Sequence, residues 1–286
     1  MSESELRRQF LILSARDIEY YPEHHIAKKR LIKEGSKAAE VAVTYIERDD
    51  PGKLVAIETV VVGVGEDAIP PLLKVLSNPD QDAASFAAYL LGEIGGRETA
   101  VPLMLAAKSS NIRLRSVAIG ALGKCEDTTA TPILLEALSD SLPSVRRRAA
   151  SSLGELGDSR AVDKLISLLE DSSASVRYTA SYALAKIGDG EVTLILLSKI
   201  EENNGGSLGR YHIIETLGML RDESAVPVLL DLLDDPLYLN RGFACQALGH
   251  FRGNYRVANA LKRSLNDASE FVRMMAGNAL LSIRGH

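Results

Sequence analysis

SDSLPSVRRRAASSLGELGD, residues Ser139–Asp158, is the stretch from which the rest of the chain is read. It returns as EDSSASVRYTASYALAKIGD, residues Glu170–Asp189, and weaker copies lie on both sides. Each copy reads as a loop, a helix and a stop. Asp140 and Ser144 are helix-starting types, with oxygens that accept from unpaired first-turn amides. Val145, Ala149, Ser152, Leu153 and Leu156 then recur at helical spacing and make an apolar stripe. Gly157-Asp158 ends the helix, because glycine takes the left-handed conformation of a C-cap cheaply. One such helix cannot bury its stripe alone. It needs a partner helix in its own unit and neighbours before and after.

Composition agrees with stacked helices. The 286 residues are 46% hydrophobic and 25% charged, ordinary for a folded chain. Aromatics make up only 5% and tryptophan is absent, so alanine and leucine supply the packing. A net charge of -5 weighs against nonspecific binding to nucleic acid. The two cysteines make no disulfide framework, and Cys125 falls on the buried stripe of its helix, as a reduced core thiol would. The start, MSESELRRQF, lacks the apolar core of a signal peptide. No apolar run reaches the ~18 residues of a membrane span. These features predict a cytoplasmic protein without a membrane partner.

The register emerges along the chain. Leu6 to Ile18 is expected to form a helix with Leu6, Phe10, Leu13 and Ile18 inward. Tyr20-Tyr21-Pro22 is expected to turn, and His25 to Glu34 to form a second helix stopped by Gly35. Ala38 to Ile46 and Leu54 to Val62 follow, separated by the turn Asp49-Asp50-Pro51-Gly52. The β-branched run Thr59 to Val62 is read as helix because its neighbours fix the register. From residue 67 a marker near the end of each second helix recurs at Gly92, Gly123, Gly154, Ala185, Gly218, Gly249 and Leu281, in steps of 31 to 33 residues. A leucine always precedes it. Eight before it stand Arg115, Arg146, Arg177, Arg210, Arg241 and Arg273, with Ala84 as the exception. Each preceding helix tends to carry an early proline: Pro70, Pro102, Pro132, Pro227. Asp140, Asp171, Asp235 and Asp267 precede the interhelix turns. The step from Ala185 to Gly218 is two residues longer, and the excess falls in Asn203-Asn204-Gly205-Gly206, an expected exposed loop.

The segment Ala161–Asp189, AVDKLISLLED followed by V-R-x-x-A-x-x-A-L-x-x-I-G-D, resembles the HEAT-like repeat family, in the variety named for phycobilisome (bilin) lyases. The likeness covers roughly residues 67–285 and, more weakly, 36–66. It implies an all-α fold: a right-handed α-solenoid, a superhelix of HEAT or armadillo type, of about nine helix pairs. Residues 1–66 would be divergent N-terminal repeats and a cap, continuous with repeats of about 31 residues over 67–285, in one solenoid domain. The resemblance also implies that the repeat arginines and turn aspartates form a ladder along the stack, a structural role rather than a phosphate site. An arginine stem can cover apolar surface while its fork reaches the turn.

Helical geometry then selects the outward positions of each second helix. Seven and three residues before the marker lie near ~20° and ~60° around the helix, whereas the apolar stripe centres near ~205°. Those positions are Ser85 and Tyr89, Ser116 and Gly120, Arg147 and Ser151, Tyr178 and Tyr182, Tyr211 and Glu215, Gly242 and Gln246, Met274 and Asn278. In HEAT-like solenoids the second helices line the concave face. Tyr178, Tyr182 and Tyr211 would then gather in neighbouring repeats, with His212, Gln246 and His250 at the margin, Arg147 beside them, and Tyr89 further along. Tyrosine is enriched at interfaces because it offers broad area with a polar tip at low entropic cost. Packing of the same rings against neighbouring repeats is the competing expectation.

Catalytic motifs are missing. The HEAT-like iron hydroxylases use repeated His-Glu pairs, and none of His24, His25, His212, His250 and His286 is followed by glutamate. His24-His25 reads as a solvated pair near a turn. No phosphate loop, nucleophile elbow or complete dinucleotide fingerprint occurs. HEAT-like glycosylases rely on a basic, aromatic groove, which an acidic chain without tryptophan does not suggest. The sequence therefore predicts a noncatalytic scaffold that binds a protein or extended peptide over residues 147–250, with no cofactor, metal or nucleic acid. The alternative is a bilin lyase subunit or pigment-protein chaperone, since a tyrosine- and arginine-bearing groove would suit a planar, doubly carboxylated pigment.

Overall fold

The computed structural model describes residues 1–15, 21–46, 50–188, 190–202 and 208–284. Among them every regular element is helical. In chain order the α-helices are α1 (Glu3–Ser14), α2 (Tyr21–Lys33), α3 (Ser36–Val43), α4 (Pro51–Val64), α5 (Ile69–Leu76), α6 (Gln81–Ile94), α7 (Ala100–Ala106), α8 (Ile112–Leu122) and α9 (Thr131–Ala137). They continue as α10 (Pro143–Leu156), α11 (Val162–Ser167), α12 (Ala174–Ile187), α13 (Gly190–Glu202), α14 (Leu208–Leu220), α15 (Val226–Asp231), α16 (Tyr238–Leu248), α17 (Tyr255–Ser264) and α18 (Glu270–Arg284). This is the all-α helix-pair repeat that the 31-residue register predicts. The chain divides into two compact units, Met1–Ile133 and Leu134–His286.

In the first unit α4, α6 and α8 lie side by side, and α3, α5 and α7 each pack on the helix that follows. Side-chain oxygens start the helices as amide acceptors. Asp50 Oδ1 takes the Gly52 amide (3.0 Å) ahead of Pro51, Asp80 Oδ1 takes the amides of Asp82 and Ala83, and Asn111 Oδ1 takes that of Leu114. Leu6 and Phe10 are buried, and Phe10 stacks on Tyr45 with centroids 4.7 Å apart. Several boundaries differ from expectation: α3 ends at Val43 rather than Ile46, and Pro51-Gly52 opens α4 rather than completing the turn before it. α1 stops at Ser14, where Ala15 turns extended, and Ile18 and Tyr20 lie outside the described residues. Tyr21 and Pro22 open α2 instead of forming a turn, because proline suits a first helical turn. His24 and His25 consequently sit on that helix, and the Thr59–Val62 run is helical within α4.

In the second unit α10, α12, α14, α16 and α18 stack in sequence, with α11, α13, α15 and α17 packed against the helices that follow them. Val145, Ala149 and Leu153 are fully buried, and Ser152 is nearly so. α10 begins at Pro143 with Leu142 at its N-cap, so neither Asp140 nor Ser144 caps it directly. Asp140 acts one step earlier, its Oδ1 accepting from the Leu142 amide at 2.9 Å, while Ser144 faces solvent. At the other end Gly157 adopts the left-handed conformation (φ 65°) and donates to Leu153 O, as its residue type predicts. The loop Asn203–Gly206 lies outside the described residues.

The marker glycines Gly92, Gly154, Gly218 and Gly249 prove to be places of close approach. A Cβ on Gly154 would lie 2.8 Å from Ala183 Cα, and one on Gly218 would lie 2.6 Å from Ala247 Cα. In the first unit Gly92 meets Ala121 in the same way. The alanine two before the marker in one repeat thus fills the space left by the missing side chain in the repeat before it. Small residues at both positions let helix backbones touch, which sets the spacing of the stack.

Candidate functional site

The repeat arginines organise the turns beneath the site. Arg146 forks onto Asp171 of the following turn through Nε (2.7 Å) and Nη2 (2.8 Å), while its Nη1 donates to Asp140 O at 2.8 Å. Arg241 repeats this geometry on Asp267 at 2.8 and 2.9 Å, with Nη1 on Asp235 O. Arg210 reaches Asp235 at 3.6 Å and donates to Ile200 O. Arg115, Arg177 and Arg273 each donate Nη1 to a carbonyl six residues back, at Ser109, Asp171 and Asp267. Arg177 is buried, and its Nε has no hydrogen-bond acceptor among the described residues. Its ladder position in the next turn falls in the residues outside the description. The forked arginines hold Asp171 and Asp267 below the ordinary aspartate range, more strongly than burial raises them. The ladder makes bidentate, charge-assisted bonds, the strong kind.

Above those turns, the outward face of α10, α12, α14 and α16 carries most of the residues selected from the sequence. Arg147 is exposed on α10. Tyr178 and Tyr182 stand one helical turn apart on α12, 55% and 52% exposed. Lys186 Nζ lies 5.7 Å from the Tyr182 ring centre, within cation–π range. Tyr211 is different. It is half-buried on α14, and its ring stacks on Phe243 of α16 at 5.3 Å. Phe243 in turn meets Phe271 of α18 edge-on at 6.0 Å, and Tyr238 meets Phe271 at 6.2 Å. Tyr211 therefore belongs to an aromatic row that packs successive repeats. The marginal polar residues also converge. His212 Nδ1 lies 3.2 Å from Glu215 Oε2, and Gln246 Nε2 donates to Glu215 Oε1 at 3.5 Å. Burial lowers the pKa of half-buried His250, with Arg221 and Arg252 adding to this and Glu215 opposing it. The shift keeps the ring neutral near pH 7.

Tyr89 belongs to the first unit. Its hydroxyl donates to Glu58 Oε1 at 2.8 Å, and this bond, reinforced by burial, pushes its pKa up to about 12. Three of the outward positions turn inward in fact. Ser85 and Ser116 are buried, and Ser85 Oγ donates to Gln81 O at 2.6 Å. Gly242 is covered by the Phe271 ring, which a Cβ there would strike. At small residues a neighbouring side chain closes over the helix, whatever the helical angle.

Sequence reasoning missed Phe243 and Phe271, and also Arg148. Phe243 sits one residue past an outward position, where the helix turns toward the previous repeat. Arg148 occupies the same register position, half-buried on α10. No group of three or more potential metal-ligating side chains gathers among the described residues. No helix among them is long and apolar enough to cross a membrane. Cys125 is buried and unpaired, its thiol pKa raised first by burial.

The repeat, the close glycine–alanine seams and the arginine ladder define a helical-repeat protein. The family model for HEAT repeats matches residues 69–143, 131–208, 166–239 and 207–281, and the chain belongs to that family. Among solved structures the chain is similar to E. coli YibA, at 17% identity and a TM-score of 0.54, over 92% of this chain and 97% of that one. It is also similar to the CpcE–CpcF complex of phycocyanin lyase from Nostoc, at 21% identity and a TM-score of 0.49, over 51% of this chain and 97% of that one. Human deoxyhypusine hydroxylase in complex with glycerol aligns at 22% identity with a TM-score of 0.40, over 90% and 98% of the respective chains. Likenesses at this identity concern the fold alone. No curated protein matches the chain in sequence.

Proposed function

We propose that this chain is a noncatalytic HEAT-repeat scaffold whose second-helix face, from α10 to α16, binds a protein or an extended peptide segment. One observation carries the reading. In a chain with 5% aromatic residues, Tyr178 and Tyr182 stand adjacent on one helix with more than half of each exposed. An exposed tyrosine pair is a poor use of large side chains for stability and a good one for contact, since it presents area at low entropic cost. The polar trio His212, Glu215 and Gln246 and the neutral His250 form a hydrogen-bonding rim on the α14–α16 side. Tyr211, stacked on Phe243, supports that rim as a wall. The repeat arginines keep a structural role in this reading.

Selection of a random dodecapeptide display library on the immobilised full chain tests it. A peptide pool that enriches on the native chain and not on a Tyr178→Ala/Tyr182→Ala variant of equal melting temperature supports the proposal. An enriched pool indifferent to both substitutions removes this face as the binding site.

A further inference from the structure

Three arginines follow one another on α10, and among the described residues only the side chain of the first is held by hydrogen bonds and an ion pair. Arg146 is fully engaged by Asp171 and the Asp140 and Ser141 carbonyls. Arg147 and Arg148 have no hydrogen bond or ion pair among the described residues, although one is exposed and the other half-buried. Taking a guanidinium partly out of water without an acceptor costs free energy, and a second cation beside it adds repulsion. Burial, with Arg147 next, lowers the pKa of Arg148 accordingly. The pair is a local positive site with no protein acceptor among the described residues.

Its neighbours complete a surface. Arg147 and Tyr178 hold equivalent positions, 31 residues apart, on helices that pack together, as do Ser151 and Tyr182. Ser151 is small and exposed, so it does not reach across Tyr182 as a long side chain would. Equivalent positions on packed helices are about 8–10 Å apart. A chain extended as polyproline II rises about 3.1 Å per residue and returns its side chains to one side every three residues, so it covers that distance with positions i and i+3 facing the same surface. A segment crossing the helices therefore meets the arginine pair and the tyrosine pair with side chains three positions apart.

We propose that this face receives an extended acidic peptide, with a carboxylate against Arg147 and Arg148 and an apolar or aromatic side chain three residues away over Tyr178 and Tyr182. The inference rests on the scaffold reading above and gives it a partner of stated chemistry. Charge complementarity selects the occupant, because a carboxylate supplies the acceptor that the fold withholds from these two arginines. A nucleic acid is disfavoured on the same surface. Exposed Glu155 lies two turns beyond Arg147 on α10 and interrupts the positive charge along that helix, and Lys186 is held over the Tyr182 ring, so the cations do not form a continuous track for a phosphate backbone.

Three full-chain proteins test this: native, Arg147→Gln/Arg148→Gln and Tyr178→Ala/Tyr182→Ala. Each is used to select dodecapeptides from the random library. The strongest peptides from the native pool are then measured by fluorescence anisotropy against their Asp→Asn and Glu→Gln versions and against a labelled single-stranded oligothymidylate. The expected pool is rich in Asp or Glu three residues from an apolar position. Amide replacement and the double glutamine variant should each weaken binding roughly tenfold, an effect that shrinks in high salt. Tyrosine-dependent peptides without acidic enrichment, equally tight on the glutamine variant, overturn the acidic assignment and leave the scaffold reading intact. Enrichment that ignores both variants overturns both. Arginine-dependent oligonucleotide binding tighter than any selected peptide overturns the choice of partner. Melting supplies a readout without ligand. Arg148→Gln should leave the melting temperature unchanged or raise it, and a clear drop would show that the fold already uses the charge.

Discussion

Gly154→Ala places one methyl group in the seam between α10 and α12, and its cost follows from competing terms. Alanine improves helix propensity over glycine by about 1 kcal/mol. Against this, the new Cβ would lie 2.8 Å from Ala183 Cα and 2.9 Å from Ala183 Cβ. Carbon atoms rest at about 3.5–4.0 Å. The helices must therefore separate by roughly 0.7 Å or more, and the obstacle is backbone, which no rotamer change relieves. Overpacking of this kind costs about 1–3 kcal/mol. A clash with backbone belongs in the upper part of that range, about 2–3 kcal/mol, so the net loss should be about 1–2 kcal/mol, or a fall of roughly 2–8 °C in melting temperature for a chain of this size. Circular dichroism melting and urea titration of the native and variant chains measure it. Ala183→Gly in the same chain should restore only part of the loss, since one of the two clashes is with Cα. Ala185→Gly is the control. That position already carries a methyl, so glycine there should cost its ordinary ~0.5–1 kcal/mol and relieve nothing. A melting temperature for Gly154→Ala at or above the native value would refute the reasoning, because propensity would then outweigh the seam.

Asp171→Asn removes the charge that Arg146 forks onto between largely buried groups, and should cost about 1.5–3 kcal/mol by urea titration. The folded pKa values of Asp171 and Asp267 are depressed, so the stability they contribute is present above the unfolded value near ~3.9 and disappears as pH falls through the folded value. The native melting temperature should therefore drop below about pH 4, and an Asp171→Asn/Asp267→Asn chain should show a flatter profile there; parallel profiles would contradict the ladder's role. Glu126 occupies the helix-ending position held by Gly157 in the next repeat, at φ 53°. Glu126→Gly should stabilise by up to about 1 kcal/mol, the left-handed cost less glycine's added chain entropy, and a lower melting temperature would count against it. Arg177→Ala should lower stability and leave peptide capture at the tyrosine face unchanged at temperatures where the chain is folded.

The fold was legible because its determinants recur. Leu153, Arg146 and Gly154 sit at fixed offsets, and a repeat that stacks on copies of itself must place the same side chains in the same contacts. The ladder was expected from the resemblance to HEAT-like repeats, onto which the recurring arginines and turn aspartates could be matched. The purpose of the marker glycines did not follow, because a backbone contact between Gly154 and Ala183 leaves no pattern beyond smallness at both positions. Helix starts were misjudged where proline and the turn shared the work: Asp140 holds the turn and Pro143 begins the helix, and Tyr21-Pro22 opens α2.

The candidate site was legible only where side chains were large. The helical angle placed Tyr178, Tyr182 and Arg147 on the surface, as the structure finds them, because a long side chain at an outward position reaches past its neighbours. The same angle failed for Ser85, Ser116 and Gly242, where burial is decided by what the next helix lays over the gap; Phe271 covers Gly242. It also missed the difference between Tyr178 and Tyr211, which occupy one register position. Phe243 stands across from Tyr211 and takes up its ring, whereas α14 offers Tyr178 no aromatic partner among the described residues. The identity of the residue one repeat further on thus decides whether a tyrosine becomes a wall or a contact. By the same logic Arg148 stands where the later repeat puts Phe243, and a charge in a position that elsewhere packs an aromatic ring is a departure that stacking alone does not reward. Departures of that kind, rather than the consensus, are where a repeat protein's binding chemistry is to be sought.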